Sequence, residues 1–130
     1  MNQVTKYLKD AKTYYLATME NDQPHVRPFG SLAEVDGKIY ICTANNKNVY
    51  QQILNNPQIE ISCMVGGTWL RLQGKLHPDH RQEAKAAFLE AMPEMKKMYS
   101  VDDGIFEVLY LSDFTATVYS FTDAPKDITC

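Results

Sequence analysis

Tyr40-Ile41-Cys42-Thr43-Ala44-Asn45-Asn46-Lys47-Asn48-Val49 reads as a strand that passes through a polar turn into a helix. The charge at the start of that helix is inverted. First turns favour Asp and Glu, because unpaired N–H groups and the macrodipole make that end positive. Here the first turn carries Lys47, and no carboxylate occurs between Asp36 and Glu60. Thr43, Asn45, Asn46 and Asn48 add side chains that hydrogen-bond or cap. Free N–H groups, a hydroxyl, amides and an ammonium without a counter-ion suit a phosphate. The same residues also describe an ordinary surface helix, capped by Asn45 or Asn46, with Lys47 in water. On these residues alone both readings stand.

Outward from this stretch the chain alternates helix and sheet. Val4, Tyr7, Leu8 and Ala11 share one stripe, which predicts a helix over 2–12. A strand over 14–19 follows, closed by the turn-rich run Glu20-Asn21-Asp22-Gln23-Pro24. A second strand is expected over 25–35. Asp36-Gly37 then marks a hairpin into a third strand over 38–43. The helix after it should cover 46–56, burying Val49, Tyr50, Ile53 and Leu54, with Pro57 ending it.

Strands over 59–65 and 68–77 meet at Gly66-Gly67. In the second, Leu70, Leu72 and Leu76 face one way while Trp69, Arg71, Gln73 and Lys75 face the other. Asp79 with Gln82 reads as a capping box for a helix over 80–91, whose buried stripe is Ala84, Ala87, Phe88 and Ala91. Met95, Met98 and Tyr99 are expected to fill space beneath a loop. Strands over 106–111 and 114–121 complete the pattern. Seven short strands, mostly hairpin-linked and interrupted by two helices, suggest a small antiparallel barrel. Periodicity alone does not separate that from an α+β sandwich.

Composition narrows the function. The 130 residues suffice for one domain, 1–130, but not for separate cofactor and substrate domains. A net charge of −3, with no basic cluster beyond Lys96-Lys97, argues against nucleic acid as a partner. No apolar run is long enough to span a bilayer, and the first six residues lack a signal-peptide core, so a cytoplasmic location is expected. The three cysteines, Cys42, Cys63 and Cys130, are odd in number and lack C-x-x-C spacing. That fits neither a disulfide scaffold nor a thiolate zinc site. Cys42 and Cys63 read as small buried hydrophobes, Cys130 as a frayed end, and none is assigned a catalytic role.

Several motifs fall away. Gly67…Gly74-Lys75 has the wrong spacing for a phosphate loop and lies along a strand. No G-x-G-x-x-G and no G-x-S-x-G elbow is present. His77-Pro78-Asp79-His80 reads as a strand end, a turn and a helix cap rather than a metal site, and no metal is expected.

The second strand holds the other unusual group, His25-Val26-Arg27-Pro28-Phe29-Gly30. Pro removes a ladder donor and belongs at an edge, a bulge or a ligand-facing position. Arg27, flanked by His25, Val26 and Phe29, suits an anionic and partly aromatic ligand, which a guanidinium can both pair with and stack upon. An exposed arginine on an edge strand is the other reading.

Taken in order, these segments resemble a known family. Tyr15-Leu16-Ala17-Thr18, Pro24 to Gly30, Gly37-Lys38-Ile39-Tyr40, Thr43…Lys47, Asn56-Pro57 with Glu60-Ile61, and Gly67 to Gly74 are similar to the flavin-binding split barrels related to pyridoxamine 5′-phosphate oxidase. The resemblance is to the small members grouped with nitroimidazole-resistance proteins, and it covers roughly residues 5–121. It implies a mainly β fold, a six-stranded antiparallel split barrel with short helices. It further implies a homodimer, with one FMN in each of two clefts at the interface. Thr43, Lys47 and Asn48 match the phosphate-binding segment, and Val26, Arg27, Pro28 and Phe29 the strand along the flavin. Ile41 and Cys42 match the strand edge beneath the isoalloxazine. Trp69 and Arg71 match the segment that reaches the flavin of the partner subunit.

The resemblance implies FMN-dependent oxidoreductase chemistry, carrying electrons from a nicotinamide to a small electrophile such as a nitroaromatic or a quinone. No catalytic side chain stands out, His25 and Tyr40 being the candidates for a general acid. Full-length oxidases carry a basic C-terminal segment for the substrate phosphate. Here residues 123–130 contain only Lys126, so pyridoxamine phosphate is not the expected substrate. The alternative from another class is a non-catalytic protein for storage, sensing or stress, holding flavin or haem in the same cleft.

Overall fold

The computed structural model describes residues 2–129, so Cys130 lies outside the described residues. The elements are α1 (Gln3–Ala11), β1 (Tyr14–Glu20), β2 (Gln23–Phe29), β3 (Ala33–Val35), β4 (Lys38–Ala44), α2 (Asn48–Asn55), β5 (Gln58–Val65), β6 (Thr68–Asp79), α3 (Gln82–Ala91), β7 (Phe106–Ser120) and β8 (Lys126–Ile128). A 3-10 segment, Pro93–Lys97, follows α3. All strands form one antiparallel sheet in the order β2-β1-β5-β6-β7-β4-β3, with β8 added alongside β7. Among the described residues no helix is long and apolar enough to cross a membrane.

Strand order and chain length together require curvature. β2 and β3 stand at opposite ends of this order, yet residues 30–32 alone join them. Laid flat, seven strands at ~4.8 Å spacing would separate the outermost two by about 29 Å. Three linking residues span only about 14 Å from Phe29 to Ala33. The sheet therefore curls until its edges meet, which makes a split barrel. A clasp spans the seam: Tyr14 Oη donates to Ser31 O at 2.6 Å, and Ser31 Oγ bonds Cys42 N at 3.1 Å and Cys42 O at 3.2 Å.

Two hydrophobic clusters sit on opposite faces of the wall. The larger fills the barrel with Leu16, Ile39, Ile41, Ile61, Leu70, Leu72, Leu76 and Leu109, and with Val4 and Leu8 of α1 and Val49 and Ile53 of α2. The smaller lies under α3, where Phe88, Ala84 and Leu89 cover Tyr40, Cys42, Phe106 and Val108. β4 borders both, so six of its seven residues are buried.

Local readings differ from the structure at identifiable points. There are eight strands rather than the expected six of the barrel. The expected strand over 25–35 is two strands, broken where the chain crosses the seam. The strands expected over 106–111 and 114–121 are one, β7, because a bulge absorbs the polar Ser112-Asp113 step. Asp79 and Gln82 form no capping box. Asp79 accepts from Tyr40 Oη at 2.8 Å and from Arg81 Nη2 at 2.9 Å, while Gln82 donates to Asp102 at 2.9 Å, and α3 starts without a side-chain cap. In α3 the buried residues are Ala84, Phe88 and Leu89, with Ala91 exposed. Met98 is also exposed, although Met95 and Tyr99 pack on the cluster under α3.

The bulge depends on Gly74. A Cβ there would lie 2.6 Å from Phe114 Cβ and 3.2 Å from both Phe114 Cα and Ser112 O, so backbone would have to move. Gly67, in the β5–β6 turn, has open space at the same position. Chemical denaturation should show Gly74→Ala losing about 1–3 kcal/mol of stability. Gly67→Ala should stay within about 0.5 kcal/mol of the parent.

Candidate functional site

An edge strand and a helix start converge at one corner of the barrel. On β2, His25, Arg27 and Phe29 are partly buried while Pro24, Val26 and Pro28 are exposed. Arg27 lies opposite Leu16 in the ladder with β1, so its side chain turns to the inner face. Both prolines sit on a strand that pairs only with β1, which suits residues lacking a ladder donor.

The helix start is set from β4. Asn45 N donates to Ile105 O at 2.9 Å, and Asn45 Nδ2 to Gly104 O at 2.9 Å and Glu107 Oε2 at 3.0 Å. Asn45 thus ties the turn to β7 instead of capping the helix. Helix α2 begins at Asn48, two residues later than expected, with Lys47 in extended geometry at the N-cap and no side-chain cap hydrogen bond. The N–H groups of Asn48 and Val49 therefore start the helix without a side-chain acceptor.

Between β2 and α2 lies a cavity of about 380 Å³ walled by Arg27, Pro28, Phe29, Lys47, Asn48, Val49 and Gln52, with Glu20 and His25 at its side. Arg27 is fixed in its wall. Nη1 donates to Leu16 O at 3.2 Å and Thr18 Oγ1 at 2.8 Å, and Nη2 to Gln52 Oε1 at 2.9 Å. All three acceptors are neutral, and partial burial pulls the guanidinium below its ordinary pKa. The carboxylate on the cavity, Glu20, faces His25 Nε2 at 3.4 Å. Among the described residues neither Arg27 nor Lys47 forms an ion pair.

Of the residues singled out from sequence, Arg27, Pro28, Phe29, Lys47 and Asn48 meet on this cavity, joined by His25. The others do not. Val26 points outward and is exposed. Ile41, Cys42 and Thr43 are buried in β4, with Ile41 in the barrel core and Cys42 under α3. Tyr40 is also under α3, bonded to Asp79, so it does not reach the cavity. Trp69 stacks on Tyr119 at 5.9 Å on the outer face of β6, and Arg71 lies over the same ring at 5.7 Å while meeting Glu60 at 3.4 Å.

Sequence reasoning missed Thr18 and Gln52, and placed Leu54 where Gln52 is. Leu54 is 48% exposed and Gln52 6%. The available signal was strand parity: Thr18 continues the inward series of Tyr14 and Leu16.

A family model described as pyridoxamine 5′-phosphate oxidase matches residues 1–113. The chain belongs to that family. Within it, the chain is similar to a NimC/NimA family protein from Clostridium acetobutylicum, with 44% identity and a TM-score of 0.94 over 98% of this chain and 90% of that one. General stress protein 26 from Bacillus anthracis shares the fold at 18% identity, with a TM-score of 0.71 over 95% of each chain. So does a heme-binding protein from Mycobacterium smegmatis, at 16% identity and a TM-score of 0.73 over 93% of this chain and 54% of that one. No curated protein matches significantly.

Cys42 and Cys63 are buried away from the cavity, Cys42 under α3 and Cys63 in the barrel core, and their surroundings decide their reactivity. Burial pushes Cys42 up to about 11 against weaker opposing pulls from Ser31 and the Lys47 charge, and burial pushes Cys63 up to about 11. The thiolate is the reactive form, and near pH 8 both thiols are held almost wholly protonated. In iodoacetamide labelling at about pH 8, Cys42 and Cys63 should stay unmodified in the native protein and react after denaturation. Fast native labelling at Cys42 would contradict this burial.

Proposed function

We propose that the cavity between β2 and α2 seats the phosphate of FMN, and that the protein is a homodimeric, FMN-dependent oxidoreductase. The observation that carries this reading is the pair Arg27 and Lys47 on one cavity, with neither charge neutralised among the described residues. A phosphate monoester answers that donor set. Arg27 has two N–H groups left beyond its three bonds, Lys47 offers an ammonium, and the uncapped first turn of α2 adds backbone N–H groups. Arg27, Lys47 and Asn48 would hold the phosphate, while Thr43 is buried in β4 and does not line the cavity. Pro28 and Phe29 would flank the rest of the coenzyme, with Val26, Ile41 and Cys42 supplying backbone along the two strands.

Bound FMN would supply two-electron redox chemistry between a nicotinamide and a small electrophile, nitroaromatic or quinone-like. The chain's own part is to bind, orient and exclude water. His25, on the cavity wall beside Glu20, would be the candidate general acid.

A second copy of the chain completes the reading. On the outer sheet face Tyr15, Val26 and Met64 are 50%, 67% and 63% exposed, beside the Trp69–Tyr119 stack and a 91% exposed Phe121. An exposed apolar face of this kind marks an interaction surface. Trp69 and Arg71 lie on it and would act in the partner's cleft rather than their own.

The competing reading is a non-catalytic holder of flavin or haem. His25 is a group able to ligate a haem iron, and it sits on the same cavity. Absorption spectra separate these readings: flavin bands bleached by a reduced nicotinamide support the oxidoreductase, unbleached bands a holder, and a Soret band haem.

Lys47→Ala removes charge-assisted bonds worth about 1.5–3 kcal/mol, so FMN should bind roughly tenfold to a hundredfold more weakly by fluorescence titration. Arg27→Ala should weaken it at least as much. An unchanged dissociation constant in both variants refutes the phosphate seat.

A further inference from the structure

Thr18 and Gln52 are buried polar side chains far from each other in sequence, and both turn toward the same guanidinium. Thr18 is 1% exposed and Gln52 6%. Thr18 Oγ1 donates to Gln52 Oε1, and that same Oε1 accepts from Arg27 Nη2, while Thr18 Oγ1 accepts from Arg27 Nη1. The three side chains close a ring of hydrogen bonds, extended by Arg27 Nη1 to Leu16 O. Burying a cation usually brings a carboxylate with it, because an isolated charge in low dielectric is costly. This cation is held by an amide, a hydroxyl and a carbonyl instead.

We propose that Thr18 and Gln52 are positioning residues: an uncharged clamp that fixes the Arg27 guanidinium in the cavity wall while leaving its charge for an anionic ligand. The proposal rests on reading the cavity as a phosphate seat. Three points of attachment freeze a long, rotamer-rich side chain before the ligand arrives, and that removes an ordering cost from binding. A carboxylate in the place of Gln52 would fix the side chain equally well but would satisfy its charge. With Gln52 Oε1 committed to Arg27 and Thr18, its Nε2 is the end left for other partners, and Gln52 also lines the cavity.

The test uses the full-length protein, FMN as probe and the nitrogen-15 resonances of the Arg27 side chain. In the parent, restricted rotation should give separate Nη–H signals for Arg27. Gln52→Leu, which keeps the volume and loses the acceptor, should merge those signals and weaken FMN by about tenfold. Gln52→Glu should keep the signals separate yet weaken FMN at least as much, because the new carboxylate takes the charge. A purely structural role for Gln52 predicts that Glu, the closer mimic, binds FMN better than Leu.

Merged Arg27 signals in the parent overturn the clamp. So does Gln52→Leu with both signals and affinity unchanged, or Gln52→Glu binding FMN as tightly as the parent. Separate signals in a parent that does not bind FMN overturn the FMN reading and leave the clamp standing.

Discussion

Strand β4 is covered on both faces, and the architecture follows from that constraint. Its odd positions, Ile39 and Ile41, enter the barrel, and its even positions, Tyr40 and Cys42, enter the layer under α3. A strand buried on both sides cannot drift in register without exposing one apolar set. The chain therefore leaves β4 at a defined place, where Asn45 ties the next turn to β7. Helix α2 starts from that anchor, and its uncapped first turn comes to face the edge strand β2. The position of Lys47 is thus inherited from the core.

The opposite wall of the cavity obeys a different logic. An edge strand tolerates two prolines and an inward arginine because one side of its ladder is unpaired. Residues 30–32 then bring this edge across to the β3–β4 side, with Ser31 bonded to both backbone groups of Cys42. A seam without a ladder is what leaves room for a cavity between strand and helix. Members of one fold need not share one activity, since function resides in sites set on folds. Similar structures are named for stress and for heme binding, and in this chain the site is marked by Arg27 and Lys47.

Much of the fold was legible because its signals are local. Asp36 and Gly37 adopt positive φ of 51° and 78°, the two-residue hairpin geometry that Asp-Gly favours. Leu70, Leu72 and Leu76 alternate as a half-buried strand should. The errors fell where a distant partner decides. Asp113 interrupts the apolar pattern of β7, yet the strand continues because Gly74 on β6 makes room for a bulge. Asp79 looks like a helix cap until Tyr40 and Arg81 claim it. Gln52 looks less suited to burial than Leu54, and only its bonds to Thr18 and Arg27 reverse that order. For the site, Arg27 and Lys47 were visible as oddities of charge and position. The side chains that hold Arg27 were not, because an amide and a hydroxyl carry no such mark in sequence.

The corner between β2 and α2 must grip a phosphate if Arg27 and Lys47 form an anion seat. A crystal structure of the protein with FMN examines this most directly. It should show the phosphate within hydrogen-bond reach of both the Arg27 guanidinium and the Lys47 ammonium, against the first turn of α2, in a dimer whose partner contributes Trp69. A phosphate bound elsewhere, or a cavity left to water while the coenzyme is present in excess, would contradict it.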